Sequence, residues 1–265
     1  MAVQFVSAGL PFTGESVKEA ADLLGVDSET ILAITEVETA GCGFLADRRP
    51  QILFERHIFH RLTGGRFDAV CPEVSAPAPG GYGRCGGYQY RRLETAMELD
   101  ADAALRSTSW GMGQTMGFNA QLVGYRSAAE MVEAFAACEG AQLMAIARFC
   151  KKRGLDDELR SRDWTAFAHA YNGRNFTANN YDGKLRIAYR RMKKGKGLDL
   201  RVRTAQVHMM YLGLYSARID GVNGPATSRG LASLQKKCGL PVTGCFDDTT
   251  RATLEEQYAA LIRAA

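Results

Sequence analysis

Glu38 stands where a helix should be ending, and on its apolar face. The stretch before it has an N-cap candidate in Asp27 and an acidic first-turn residue in Glu29, and Gly41 follows as a stop signal. Ile31, Ile34 and Glu38 fall at i, i+3 and i+7, so they share one side of that helix. A carboxylate on an apolar stripe is disfavoured in its charged form, so its pKa rises and it holds a proton near neutral pH. That is the property of a general acid. Asp47 lies nine positions later, past a Gly-containing turn and beside Arg48 and Arg49, which favour its ionised form. A protonated and an ionised carboxyl together can give a proton and take one, or give a proton and stabilise a cation. Each residue also has a plainer reading. Glu38 can be a surface residue of a last helical turn, and Asp47 a turn residue bonding its own backbone. Glu36, on the Leu32 side, rivals Glu38, and Glu55 in "LFER" rivals Asp47 or pairs with an arginine.

Two further segments carry polar groups suited to a ligand. "STSWGMGQTMG" (107–117) sets Ser109, Trp110 and Gln114 among glycines, where backbone can approach a ligand closely. "FAHAYNG" (167–173) ends a helical stretch with Tyr171 and Asn172, and its "NG" is also a turn signal. Metal chemistry has weak support: there is no HExxH and no CxxC, and His57 and His60, three apart, better suit structural roles. The seven cysteines are odd in number and scattered, which points to reduced, mostly buried thiols. No cofactor is expected.

The elements that must hold these residues are mostly helical. Residues 16–41 read as a helix in two pieces split near "LGVDSE", "QILFE" as a short strand, and "HIFHRLTGG" as a short helix. Residues 71–90, rich in Pro and Gly, read as a long loop whose Tyr82, Tyr88 and Tyr90 either rim a groove or pack the loop down. From Arg91 to about Met192 the pattern is helical, broken at "SWGMGQTMG" and "YNGRNFTANN". Nine of the twenty residues from Lys184 to Arg203 are Lys or Arg, and "KKGKG" has the glycines of a hinge, so a domain boundary falls there, between 196 and 197. The charge run itself reads as a solvated helix end plus linker. Beyond it, "DGVNGPATSRGL" (220–231) and "TGCFDDTTRATL" (243–254) align without gaps, each a tight turn and a helix start. Gly224 and Pro225 fit the N-cap and N1 positions of the first, and Asp247 or Asp248 caps the second. With the helix starting near Thr204 they make a small three-helix module, expected to bind rather than catalyse. A fragment ending near Lys196 is expected to fold without it.

The 265 residues suffice for a larger and a smaller domain, and 46% apolar content supports real cores. The net charge of +4 suits an acidic polymer without naming one. No apolar run approaches a membrane span, and the first residues lack the basic and apolar regions of a secretory signal.

In order along the chain, "EVETAG", "STSWGMGQTMG" and "FAHAYNG" resemble the goose-type lysozyme and lytic transglycosylase group. "VET-G-GFL-D-RP-ILFERH-F-RLT", "PGGYG", "SWGMGQTMGFN" and "YDGKL" look like the N-acetylmuramidase domain of phage endolysins, over roughly residues 15–192. The final part is similar to the peptidoglycan-binding domain found beside such enzymes, with its Q…LG…DG-x-x-G-x-x-T…LQ…GL-x-x-T-G pattern. The chain departs from the transglycosylases at Thr39, where they carry Ser; a hydroxyl is kept.

The resemblance implies a mainly α protein: a lysozyme-like helical domain with a small β element (1–196) and a three-helix wall-binding domain (197–265). It implies cleavage between N-acetylmuramic acid and N-acetylglucosamine, with Glu38 as acid, Asp47 as second carboxylate, and Ser109, Trp110, Gln114, Tyr171 and Asn172 as substrate contacts. Trp110 would stack on a sugar ring or anchor the core. The other readings are a lytic transglycosylase, a wall-binding protein with an inactive enzyme domain, and, least favoured, a zinc amidase or peptidase. The expected partner is bacterial peptidoglycan, reached by a monomer made in the host cytoplasm and released across the inner membrane, with no nucleic acid and no membrane insertion.

Overall fold

The computed structural model describes residues 3–38, 41–172 and 180–264, except for the side chains of Glu38 and Asn172. The order is α1 (Gly14–Leu24), α2 (Ser28–Glu38), β1 (Ile52–Phe54), α3 (Arg56–Thr63), α4 (Gly87–Leu99), α5 (Ala101–Arg106), β2 (Thr108–Trp110) and β3 (Thr115–Met116). There follow α6 (Ala128–Ala137), α7 (Glu139–Lys152), α8 (Asp156–Ser161), α9 (Trp164–Asn172), α10 (Tyr181–Lys193), α11 (Leu200–Tyr211), α12 (Pro225–Lys237) and α13 (Asp248–Arg263). The protein is mainly α with one small sheet, as its residue patterns indicated. Among the described residues no helix is long and apolar enough to cross a membrane.

Local chemistry sets the ends of these helices. Thr13 and Ser16 form a capping box at α1, and Gly25 closes it in a left-handed conformation. Asp27 caps α2: its Oδ1 accepts from the Thr30 amide at 3.0 Å and the Thr30 hydroxyl at 2.6 Å. Gly224 and Pro225 take the N-cap and N1 positions of α12, and Asp247 caps α13. The sheet is antiparallel in the order β1-β2-β3, with Leu53 opposite Ser109 and Trp110 opposite Thr115.

Three apolar cores result. One joins α1, α2, α7, α9 and α10 through residues such as Leu24, Ile31, Ile34, Ile146 and Phe167. A second holds the sheet against α4, α5 and α6, with Phe54, Tyr90, Trp110 and Phe135. The third is made by α11, α12 and α13 but takes in Cys42 and Phe44 from the segment after α2. The C-terminal helices therefore share their core with the N-terminal region. The basic run is solvated as expected, with every cation of it but Arg203 exposed. Arg191 pairs with Glu36, and Lys193 lies 3.3 Å from both Asp27 and Glu29, so α10 turns these charges onto α2. Of the seven cysteines, all free thiols, Cys42 and Cys150 are buried, three are half-buried and Cys85 and Cys245 are exposed, so burial is less general than expected.

Candidate active site

Apolar burial of Ile31 and Ile34 fixes which way α2 faces, and the helix ends at Glu38. Glu38's side chain, the Thr39 hydroxyl, the Asn172 side chain and the "NG" turn at 172–173 lie outside the described residues. Gly41, with φ +108°, lies so close to the C-terminal region that a Cβ there would stand 2.5 Å from the Ile219 carbonyl oxygen. Only glycine fits.

Residues 43–51 form a hairpin. Leu45 donates to the Arg49 carbonyl at 2.8 Å, Gln51 to that of Gly43 at 2.8 Å, and Phe44 bridges Pro50. Asp47 sits at its tip. Its Oδ1 accepts from the Arg49 amide at 3.1 Å, and its Oδ2 lies 2.7 Å from the Arg49 guanidinium, which in turn lies over the Tyr90 ring. The side chain is half exposed. It makes the turn bond anticipated for it and also keeps one face to solvent, beside a fixed positive charge.

The Gly-rich segment is the β2–β3 hairpin. The Gly111 amide donates to the Gln51 carbonyl at 2.7 Å, while the Gln51 side-chain amide donates to the Cys42 carbonyl at 2.8 Å. The sheet and the chain following Glu38 are thus tied together. Gln114 adopts φ +47°, a costly conformation for a residue with a side chain. It is held by its Nε2 donating to the Gly111 carbonyl at 2.8 Å and its Oε1 accepting from the Ser109 hydroxyl at 2.8 Å. Gln114 is exposed and Ser109 buried, so Ser109 sits behind Gln114 and orients it.

Trp110 corrects an expectation. It is fully buried, its indole N–H donates to the Leu105 carbonyl at 3.1 Å, and it stacks on Phe5, so it is a core anchor and not a sugar platform. Strand alternation explains this: Ser109 and Trp110 are neighbours in β2 and point to opposite faces. Tyr90 is also core, donating to the Pro50 carbonyl, whereas Tyr88 is exposed. Tyr171, on the last turn of α9, stacks on Phe167 at 5.3 Å and meets Phe149 edge-on. Glu55 begins α3 and is mostly buried beside His57. His60 pairs with Asp68 at 2.7 Å, a structural contact.

Two polar residues on α7 escaped sequence reading. Gln142 is fully buried; its Oε1 accepts from the Met112 amide at 2.7 Å and its Nε2 donates to the Phe135 carbonyl at 2.9 Å. Glu139, one turn earlier, accepts from the amides of Phe12 and Gly43. Both anchor loops that frame the end of α2. The signal for them is a Glu and a Gln at i and i+3 on an otherwise apolar helix face.

The comparisons with known proteins bear on this arrangement. Residues 27–193 match the family model for N-acetylmuramidase. The chain belongs to the N-acetylmuramidase family, a family of glycoside hydrolases. Residues 199–254 match the model named "Putative peptidoglycan binding domain". The crystal structure of a Burkholderia AP3 phage endolysin is similar, with 38% sequence identity and a TM-score of 0.66 over 69% of this chain and 71% of that one. Among curated proteins, the "Putative OxPP cycle protein OpcA" of Synechococcus elongatus is 44% identical over 50 residues, 19% of this chain. The chain spans only 11% of that relative's length. A muramidase region followed by a peptidoglycan-binding region is the endolysin-type order that the sequence motifs indicated.

Proposed function

We propose that this muramidase-family protein is an endolysin-type enzyme that hydrolyses the bond between N-acetylmuramic acid and N-acetylglucosamine in bacterial peptidoglycan. The observation that carries the reading is the position of Glu38: it ends α2 inside the family-matched residues, and the chain after it is tied to the Gln114 hairpin. Glu38 gives its proton to the glycosidic oxygen as the bond to C1 of the muramic acid breaks. A water adds at C1, and Asp47 takes a proton from it, leaving a free reducing end. By likeness to the goose-type enzymes the stereochemical outcome is inversion, which requires room for water between the carboxyls.

Gln114 contacts sugar hydroxyl or N-acetyl groups, with both donor and acceptor atoms to offer. Ser109 supports it, and Tyr171 and Asn172 contribute at the end of α9. Residues 1–196 form the catalytic region and 197–265 the wall-binding one, in a monomer that needs no cofactor and binds no nucleic acid. It acts on the wall after release from the host cytoplasm.

Glu38→Gln keeps the shape and removes the proton. Wall lysis should fall by roughly 10²–10⁴-fold with an unchanged circular dichroism spectrum. Mass spectrometry of digested walls should show reducing muramic acid ends, and Asp47→Asn should lose most of the rate. Chiefly anhydro-muramoyl ends, with Asp47→Asn still active, would instead mean that the muramic acid's own 6-hydroxyl attacks C1, as in a transglycosylase.

A further inference from the structure

Among the described residues, Glu139 is the most deeply enclosed charge of the catalytic region: it is 0% exposed and its partner Arg203 is 2% exposed. Burial alone would push its carboxyl up. The Arg203 charge and hydrogen bonds, with the Gly43 and Phe12 amides, outweigh that and hold it below the usual range. Arg203 bridges both oxygens, at 2.6 and 2.8 Å, and lies over the Phe12 ring at 4.0 Å. A pair this dry is retained at a cost unless every donor is satisfied. Here the second terminal nitrogen has a further acceptor, the Gly41 carbonyl, at 2.8 Å.

Arg203 belongs to α11, in the region matched to peptidoglycan binding. Arg218, between α11 and α12, lies in the same matched region and donates to the Glu36 carbonyl at 3.3 Å. The last carbonyls of a helix have no acceptor role within it, and cations are favoured there. α2 has no basic residue in its own last turn. The C-terminal region supplies them, on the carbonyls two residues before and three residues after Glu38. Ile219 closes against Gly41, and Cys42 and Phe44 lie in the core of α11–α13.

We infer that the C-terminal region is a structural half of the active site as well as a wall anchor: Arg203 and Arg218 are positioning residues that clamp the chain on either side of Glu38. This rests on Glu38 being the acid. The wall-binding region then governs turnover itself, through the placement of the acid, in addition to local concentration on the polymer.

The test uses the full chain and soluble peptidoglycan fragments, on which wall anchoring gives no advantage. Arg203→Lys keeps the charge but cannot serve both Glu139 oxygens and the Gly41 carbonyl in the same planar fork. Its kcat should drop by about tenfold or more, because small displacements of a catalytic group are costly, while KM changes little. Pelleting with whole walls should be unchanged. Arg218→Met, at an exposed side chain, should stay folded and lose kcat severalfold, again without a change in KM. Amide exchange should speed up at Gly43 and in the last turn of α2 in both variants. If folded Arg203→Lys keeps kcat within about twofold, or if it misfolds and Arg218→Met turns over like the parent with unchanged exchange, the clamp is wrong. Loss of the glycosidase reading is recognised separately: Glu38→Gln would then be as active as the parent. In that case the exchange measurement still decides whether the two arginines hold this segment.

Discussion

The C-terminal region builds the same device twice and uses it in two ways. Gln206 on α11 is fully buried; its Oε1 accepts from the amides of Asp220 and Gly221, and its Nε2 donates to the Asp220 carboxylate, the Val222 carbonyl and the Thr227 hydroxyl. Gln235 on α12 repeats this. Its Oε1 accepts from Thr243 and Gly244, and its Nε2 donates to the Thr243 hydroxyl, the Cys245 carbonyl and the Thr250 hydroxyl. One glutamine side chain replaces the missing backbone partners of a tight turn in each copy. The residue before each turn tells the copies apart: Ile219 is 6% exposed and Val242 is 60% exposed. Ile219, at the entry to the first turn, is drawn into the body of the molecule against Gly41, while Asp220 and Val222 after it stay exposed. The second faces solvent, with an apolar residue on show. An internal duplication can thus tie the entry of one copy into the body of the molecule and leave that of the other in solvent.

The largest effect that tests this contrast is loss of the two glutamines. Gln206→Leu leaves the buried Gly221 amide without an acceptor, at about 1–3 kcal/mol, and the half-buried Asp220 amide at less. It should lower the melting temperature and, by loosening the clamp, slow cleavage of soluble fragments. Gln235→Leu removes the same bonds from the exposed turn and should chiefly weaken pelleting with walls. Equal losses in both assays for both variants would break the contrast. Next in size is the pair of apolar residues. Ile219→Ala should cost about 2–4 kcal/mol, as a cavity beside Gly41. Val242→Ala should stay within about 0.5 kcal/mol in chemical denaturation. Val242→Asp, also stable, should reduce wall binding; unimpaired binding would remove that turn from the wall contact.

Much of this frame was legible in the residue order because it is local. The Asp27 cap, the end of α3 at its glycines, the turn bond of Asp47 and the two caps of the repeat all lie within a few residues of their partners. What was not legible depends on distance along the chain. Glu139 bonds to Gly43 and Arg203 across 96 and 64 residues. In sequence Arg203 is one more cation in a basic run, and only the fold separates it from its solvated neighbours. Trp110 misled for a different reason: glycines on one side suggested an open loop, while strand alternation put the ring in the core.

The remaining expected effect is on pH. His208, on α11, is buried against the Tyr258 ring at 3.8 Å, and its Nδ1 has no hydrogen-bond partner. Burial brings its pKa down to about 4. The folded state therefore resists protonation that the unfolded chain accepts near pH 6.5. A depressed histidine costs stability as pH falls from about 6.5, and the loss levels off below about 4. At pH 5.5 it amounts to about 1 kcal/mol. The N-terminal region behaves otherwise. Asp27 is held down at about 2, since hydrogen bonds from Thr30 and Tyr189 and the nearby Lys193 outweigh its burial. Its contribution is complete above the ordinary carboxylate range and is lost only as pH falls from about 4 toward 2. Mild acid should thus loosen the C-terminal core before it touches the α2 cap. Amide exchange at pH 5.5 against pH 7.5 should show faster opening in α11 and α13 than at the start of α2. His208→Phe, which keeps a ring against Tyr258, should abolish most of that difference. A full pH response in His208→Phe would assign the acid sensitivity elsewhere and leave the two regions alike in this respect.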